Sequence, residues 1–284
     1  MSSTPSANWQ KDIAHVVHPY SNLDAHDRRG PVVITRGDGC YVEDESGKRY
    51  LEGMSGLWCA SLGFSEKRLV DAAMAQFNTL PYYHLFNHRS HPPGIALAEA
   101  LTAIAPQGLN HVLFANSGSE ANDAAVKLVW YYNNQLGRPK KKKIISRING
   151  YHGVTVASGS LTGLVHVHRD FDLPIPQVLH TDCPSHYHFA QPDETEAQFA
   201  ERLANNLEQM ILREGPDTVA AFIAEPINGS GGVIVPPAGY FDRVQAILKK
   251  YDVLFIVDEV ICGFGRTGQM FGSDSFKLKP DMMT

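Results

Sequence analysis

Residues 253–259 read Val-Leu-Phe-Ile-Val-Asp-Glu, five apolar residues ending in two acids. A run this short and this apolar reads as a strand buried on both faces, and its end sets carboxylates at the rim of a sheet. Two comparable runs precede it, VAAFIA at 219–224 and KIIS at 143–146. Amphipathic helices are expected between them. One runs from about Thr195 to Arg213 with Phe199, Leu203, Leu207, Met210 and Ile211 inward, and another spans Tyr240–Lys250. Upstream, HVLFAN (111–116) reads as a further strand. It feeds a helix from Ser119 whose apolar face is Ala121, Ala124, Ala125, Leu128, Val129 and Tyr132. Strands alternating with helices imply an α/β fold with a mostly parallel sheet.

The beginning of the chain has another texture. Residues 1 to about 30 are polar and read as an irregular arm or one short helix. Val32–Leu51 alternates β-prone runs with turn signals at Gly37-Asp38-Gly39 and Ser46-Gly47, the pattern of a small antiparallel meander. Leu69, Val70, Ala73 and Phe77, then Leu97, Leu101 and Ile104, recur at helical spacing. The expected division is an arm and meander over 1–55 and a large α/β domain over 56–284.

Composition narrows the function. With 43% apolar and 19% charged residues the chain is no disordered polyelectrolyte. The balance of 25 basic against 30 acidic residues, −5 net, is no footprint for nucleic acid or an anionic membrane. Cys40, Cys59, Cys183 and Cys262 form no CxxC pair, so neither a disulfide framework nor a thiolate zinc site is indicated, and a reducing cytosol fits. MSSTPSANWQ carries no apolar signal core and no run of about twenty apolar residues occurs, so a soluble cytoplasmic protein is expected.

In an open α/β sheet ligands sit beyond the carboxyl ends of the strands. After HVLFAN comes Ser117-Gly118-Ser119-Glu120 at a helix start. Free N–H groups, a glycine and two hydroxyls make either a plain N-cap with an acidic first turn or a phosphate cradle. Asp258-Glu259 has three readings. A magnesium-holding acid is opposed by the absence of any GxxxxGK motif followed by Ser or Thr; an acid bonded to a ligand cation and a structural cap stay open. Gly263–Gly268, GFGRTG, fits GxGxxG, but QMFGSDSFKLKP behind it has no helical stripe, so a glycine-rich loop is expected rather than a dinucleotide site. Gly150-Tyr151-His152-Gly153 and Glu225-Pro226 follow two more strands. Together these strand ends offer a phosphate cradle, an aromatic face and a carboxylate for a cation, which suits a flat heteroaromatic phosphate such as pyridoxal 5'-phosphate. The Cys183–His188 segment matches no zinc template, and His84, His88 and His91 read as polar interface or loop residues, so no metal is expected. Lys140–Lys143 reads as a solvated connection.

Taken together, SGSEAND, NGYHG, AFIAEPINGSGGVIVPP, VDEVICGFGRTG and SGLWCASLGF resemble the class III pyridoxal-phosphate-dependent aminotransferases, nearest the ω-amino acid and amine:pyruvate transaminases. The likeness runs from about residue 30 to the last residue. It implies a fold-type-I transferase, homodimeric or a tetramer built from dimers, with each site at the subunit interface. Ser117, Gly118 and Ser119 would hold the phosphate. Tyr151 would stack on the ring with His152 beside it, Val260 would pack on the other face, and Asp258 would pair with the pyridinium nitrogen. Glu225 would support Asp258 or the cofactor's hydroxyl edge. Trp58 and Tyr151 would shape the substrate pocket, with Phe86 reaching in from a partner subunit. The implied reaction moves an amino group from an ω-amino acid or primary amine to a keto acid, pyruvate by resemblance. A decarboxylase or aminomutase on the same scaffold, a non-catalytic binder and a dehydrogenase using GFGRTG are the alternatives. The family's Schiff-base lysine falls beyond Lys279–Thr284, and Lys277 and Lys279 do not occupy its position. The chain is therefore expected to be an N-terminal fragment, inactive alone, without the family's C-terminal small domain.

Overall fold

The computed structural model describes residues 6–284, in two compact units that divide between Ser90 and His91. The part of the expected arm that falls on residues 1–5 lies outside the described residues.

In the first unit the arm is two short helices, α1 (Ala7–His15) and α2 (Leu23–Arg29), where at most one was expected. Both are made by caps rather than by apolar stripes. Ser6 Oγ accepts from Trp9 N at 3.0 Å and Asn22 Oδ1 from Ala25 N at 2.9 Å. Asp12 Oδ1 then joins the two, accepting from His18 Nε2 at 2.8 Å and His26 Nε2 at 3.0 Å. The meander forms as read, with β1 (Ile34–Asp38), β2 (Tyr41–Asp44) and β3 (Arg49–Leu51) paired antiparallel in that order. A turn, α3 (Ser55–Trp58), has positive φ at all four residues, and α4 (Lys67–Thr79) follows. Non-glycine residues in that region cost roughly 1–2 kcal/mol each, so the segment carrying Trp58 is held under strain.

The second unit holds α5 (Pro92–Ile104), α6 (Gly118–Gln135), β4 (Lys143–Arg147), α7 (Val156–Leu161), α8 (Val165–His168), β5 (Val178–Thr181), α9 (His186–Phe189), α10 (Glu196–Glu214), β6 (Val219–Ala224), α11 (Tyr240–Lys250), β7 (Leu254–Val257), α12 (Gly272–Ser275) and β8 (Met282–Met283). The five strands form one parallel sheet in the order β5-β4-β6-β7-β8. Alternate side chains split into two cores. On one face Ile145, Phe222, Phe255 and Val257 meet Phe199, Leu203, Leu207 and Ile211 of α10 and Phe241, Val244 and Leu248 of α11. On the other, Ile144, Ala221, Ile223 and Ile256 meet Ala125, Val126 and Val129 of α6 and Leu161 of α7. All six residues of β6 are buried, as a two-sided strand requires.

Two expectations are corrected. Residues 111–116 form no strand: among the described residues no strand pairs with them, and Leu113 stays 67% exposed. An apolar run becomes a strand only where a neighbour accepts its ladder of hydrogen bonds. The inward face of α6 is also rotated. Asn122, Ala125, Val126, Val129 and Asn133 are buried, while Leu128 and Tyr132 face out. Both asparagines are tolerated inside because their amides are bonded, Asn133 Nδ2 to Val129 O at 2.9 Å and Asn122 at the sheet rim.

The long helix α10 begins in a reciprocal capping box between Thr195 and Gln198. Beside it, Arg202 grips Glu194 with Nε at 2.7 Å and Nη2 at 2.8 Å. These bonds hold the Glu194 carboxyl down at about 2. An acid whose folded value is depressed contributes stability above its ordinary range, and that contribution is lost as pH falls through the folded value. Arg202→Met is expected to lower the thermal midpoint at pH 6, with the difference from the parent closing between about pH 4.5 and 2. A gap that persists unchanged to pH 2 in thermal melts would locate the effect in packing instead.

Candidate active site

The sheet order sets where a ligand fits. The chain leaves β4 toward β5 on one side and returns to β6 on the other, so the connections after β4 and β6 diverge at their carboxyl ends. That divergence is the crevice in which open parallel sheets bind ligands. Residues 149–153, 225–229 and 258–260 all follow strands β4, β6 and β7 at this edge.

Asp258 is the centre of the rim. It is 3% exposed, and its backbone N–H donates to Ala224 O at 2.9 Å, extending the β6–β7 ladder by one step. Its Oδ2 accepts from His152 Nδ1 at 2.8 Å and from Asn122 Nδ2 at 2.9 Å, and its Oδ1 accepts from Val260 N at 3.1 Å. Because a carboxylate oxygen accepts here, His152 carries its proton on Nδ1. The imidazole is fully buried, and Nε2 has no hydrogen-bond partner among the described residues.

Glu259 points elsewhere and is structural. Oε1 accepts from Ser273 N and Oγ at 2.6 and 2.7 Å, and Oε2 from Gly272 N at 2.9 Å, so it caps the first turn of α12. Burial pushes its carboxyl up, against those bonds. Of the adjacent acids, one thus bonds to His152 and Asn122 across the strand ends and the other ties down the turn that follows. The GFGRTG segment is a run of turns, with Gly265 and Gly268 at φ 94° and 87°, and it opens no helix.

Among the described residues Glu225 makes no hydrogen bond to Asp258. Its Oε1 accepts from Tyr151 N at 3.0 Å and its Oε2 from Gly229 N at 2.8 Å, and burial raises its pKa. It pins the Tyr151 loop to the loop after β6. Arg147 assists from below: fully buried, it donates from Nη2 to Glu225 O at 2.6 Å and lies 5.7 Å from the Phe241 ring centroid.

At the start of α6 the N-cap reading of Ser117–Glu120 is realised, and the geometry is compatible with the cradle. Ser117 Oγ accepts from Glu120 N at 3.1 Å, and Glu120 Oε2 accepts from Asn116 N at 2.7 Å, so the cap is made. The N–H groups of Gly118 and Ser119 still lack intrahelical acceptors, the usual condition of a first turn. A Cβ built on Gly118 would sit 3.0 Å from Val260 Cγ2, so the glycine keeps open the space between the helix start and Val260. Ser119 Oγ accepts from Val154 N at 3.1 Å, fastening the Tyr151 loop to the same helix end. The rim therefore combines an anion cradle, an aromatic loop and a buried acid with spare acceptor capacity. These residues fit an aromatic phosphate bearing a ring cation.

Ser117, Gly118, Ser119, Tyr151, His152, Glu225, Asp258 and Val260 all lie in this unit at the strand ends or the α6 start. Trp58 and Phe86 belong to the first unit; Phe86 is 79% exposed and Trp58 sits in the strained turn. Sequence reasoning missed Asn122, Arg147 and Thr162. Thr162 Oγ1 accepts from His152 N at 2.9 Å and donates to Gly153 O at 3.0 Å, which shapes the loop. Only Asn122 left a signal, as a polar residue at i, i+3, i+4 and i+7 spacing with Ala125, Val126 and Val129.

A family profile described as aminotransferase class-III matches residues 23–284. A vanillin aminotransferase of Capsicum frutescens is 60% identical over 280 residues, 98% of this chain and 58% of that protein. The mitochondrial gamma-aminobutyrate transaminase 1 of Oryza sativa subsp. japonica is 57% identical over 266 residues, 93% of this chain and 51% of that protein. Among solved structures, the omega transaminase from Pseudomonas jessenii in complex with PMP superposes with a TM-score of 0.97 at 59% identity, covering 98% of this chain and 62% of that one. The chain thus spans about half to three-fifths of the length of the curated relatives it matches.

The loop's geometry yields a direct test. Gly163 pairs both ways with the residues before Tyr151, Gly163 N to Gly150 O at 2.8 Å and Asn149 N to Gly163 O at 3.0 Å, and a Cβ there would lie 2.1 Å from Arg147 O. Gly163→Ala is expected to destabilise the protein by about 1–3 kcal/mol in denaturant melts. Gly53→Ala, where a Cβ meets nothing within 4 Å, serves as the neutral control.

Proposed function

This chain belongs to the class-III aminotransferase family, and on that premise we propose that it carries the cofactor-binding part of a pyridoxal-phosphate-dependent transaminase. The observation that carries the proposal is the buried Asp258, with Oδ2 filled by His152 and Asn122 and Oδ1 taking only the Val260 amide among the described residues. Such an oxygen is poised to hold a proton on a pyridine nitrogen, because an opposite charge within a few ångströms raises the nitrogen's pKa. The bound cofactor supplies an electron sink for the carbanion formed at the amine carbon.

The chain's own residues divide the remaining work. Ser117, Gly118 and Ser119 bind the phosphate through hydroxyls and first-turn amides. Tyr151 presents its ring to one face of the pyridine and Val260 its methyls to the other. His152 holds Asp258 in register and excludes water from it. Glu225 keeps the Tyr151 loop in place. Tyr151 also borders the amine pocket, and Phe86 is assigned to that pocket from a second copy of the chain.

The donor we assign is an ω-amino acid or a primary amine, in keeping with a relative named for gamma-aminobutyrate, and the acceptor is a keto acid such as pyruvate. A homodimer is part of the proposal. Leu69, Val70, Met74 and Phe77 on α4 are all more than half exposed, an apolar stripe that a second copy would cover. We assign residues 56–284 to the cofactor domain and 1–55 to the arm and meander. Among the described residues no helix is long and apolar enough to cross a membrane. Four unpaired cysteines support a reducing compartment, here proposed as the cytosol.

In the whole protein, Asp258→Ala is expected to lower kcat by about 10²–10³ while cofactor affinity falls far less, measured by steady-state kinetics and cofactor titration. Equal losses in both would sink the assigned role. The Schiff-base lysine is proposed to lie outside residues 1–284. Borohydride reduction of this chain with pyridoxal phosphate, followed by peptide mapping, should then mark no lysine stoichiometrically.

A further inference from the structure

We infer that Asn122, braced by Thr284, positions the Asp258 carboxylate, so that helix α6 governs the ring-nitrogen contact as well as the phosphate cradle. The inference rests on the cofactor reading above. Asn122 lies five residues after the Ser117 cap and is 1% exposed. Its Nδ2 donates to Asp258 Oδ2 at 2.9 Å and to His152 O at 2.7 Å, and its Oδ1 accepts from Thr284 Oγ1 at 2.9 Å. A backbone carbonyl can only accept and the threonine hydroxyl donates to the other end, so the chemistry dictates which way the amide faces. Both amide hydrogens and the amide oxygen are then in use. An asparagine so placed in a helix interior leaves nothing unpaired, and it is no generic core residue.

The arrangement has a specific electrostatic consequence. A carboxylate offers about four acceptor sites. His152 and Asn122 fill those of Oδ2, the Val260 amide takes one of Oδ1, and the last has no partner among the described residues. Asn122 does this as a neutral donor. It fixes the rotation of the carboxylate without cancelling the charge that a ring cation would need, whereas a lysine would neutralise it and an aspartate would repel it. Thr284 closes the chain of contacts: its backbone N–H donates to Val257 O at 3.0 Å and its carbonyl accepts from Glu259 N at 2.7 Å, bracketing Asp258 on both sides. The helix that presents Gly118 and Ser119 to a phosphate thereby also sets the far end of the ligand. It acts as a ruler between the two contacts.

The test uses pyridoxamine phosphate labelled with ¹⁵N in the ring, which needs no lysine to bind. The ¹⁵N shift reports directly whether the bound ring nitrogen is protonated. Asn122→Ala is expected to lower the pH at which the bound ring loses its proton by about one unit and to weaken binding about tenfold. Thr284→Val, which removes one hydroxyl and leaves the core intact, should shift the titration in the same direction by less, and it carries the test if Asn122→Ala does not fold. A purely structural role for Asn122 would weaken binding or stability and leave the ¹⁵N titration where it was, and that result overturns the inference. Asp258→Asn separates the two levels. If Asp258→Asn abolishes ring protonation and the other two variants do not shift it, the inference falls while the cofactor reading stands. If Asp258→Asn leaves the titration unchanged, or the unaltered chain does not bind pyridoxamine phosphate, the cofactor reading falls and takes the inference with it.

Discussion

A carboxylate with almost no exposure must be fully provided for by its surroundings, and the need to satisfy Asp258 organises the rim of this sheet. Its donors come from three places distant in sequence: Asn122 on α6, His152 after β4 and Val260 in the turn after β7. Displacing any of them strips a donor from a buried carboxylate, and for Val260 it leaves Oδ1 unpaired, a costly outcome for a buried charge. The polar groups at this edge are therefore placed by the same packing that builds the two cores beneath them.

The other acids nearby show how similar residues take different work. Glu225 and Glu259 also end buried strands, yet each commits both oxygens to backbone amides, Glu225 to those of Tyr151 and Gly229, Glu259 to those of Gly272 and Ser273. They hold loops. Asp258 is one carbon shorter and sits directly after β7, so its carboxylate stays at the sheet edge instead of reaching into a neighbouring turn. Side-chain length and position along the strand decide which acid keeps its carboxylate at the rim of the sheet.

Much of this was legible in the residues themselves. VAAFIA is β6 to the residue, Tyr240–Lys250 is α11 to the residue, and the meander is where its turn signals put it, because each rests on local periodicity and local turn chemistry. HVLFAN had the same apolar texture and formed no strand, since pairing depends on a neighbour and texture does not reveal one. The α6 stripe was displaced by a single position because polarity alone disqualified Asn122 and Asn133 as core residues. Hydrogen bonds are what make their burial possible, and those of Asn122 connect positions as far apart as 122 and 258.

The linear chain determined the α/β class, the strand-end motifs and the family whose strings they match, since all of these are encoded in short contiguous segments. The tertiary structure alone decided which of two adjacent acids bonds to His152 and Asn122, that Glu225 bonds the amide of Tyr151, and that an asparagine on α6 donates to the Asp258 carboxylate. Those outcomes depend on distances across the sheet between residues 74 to 136 positions apart, and no local pattern carries that information.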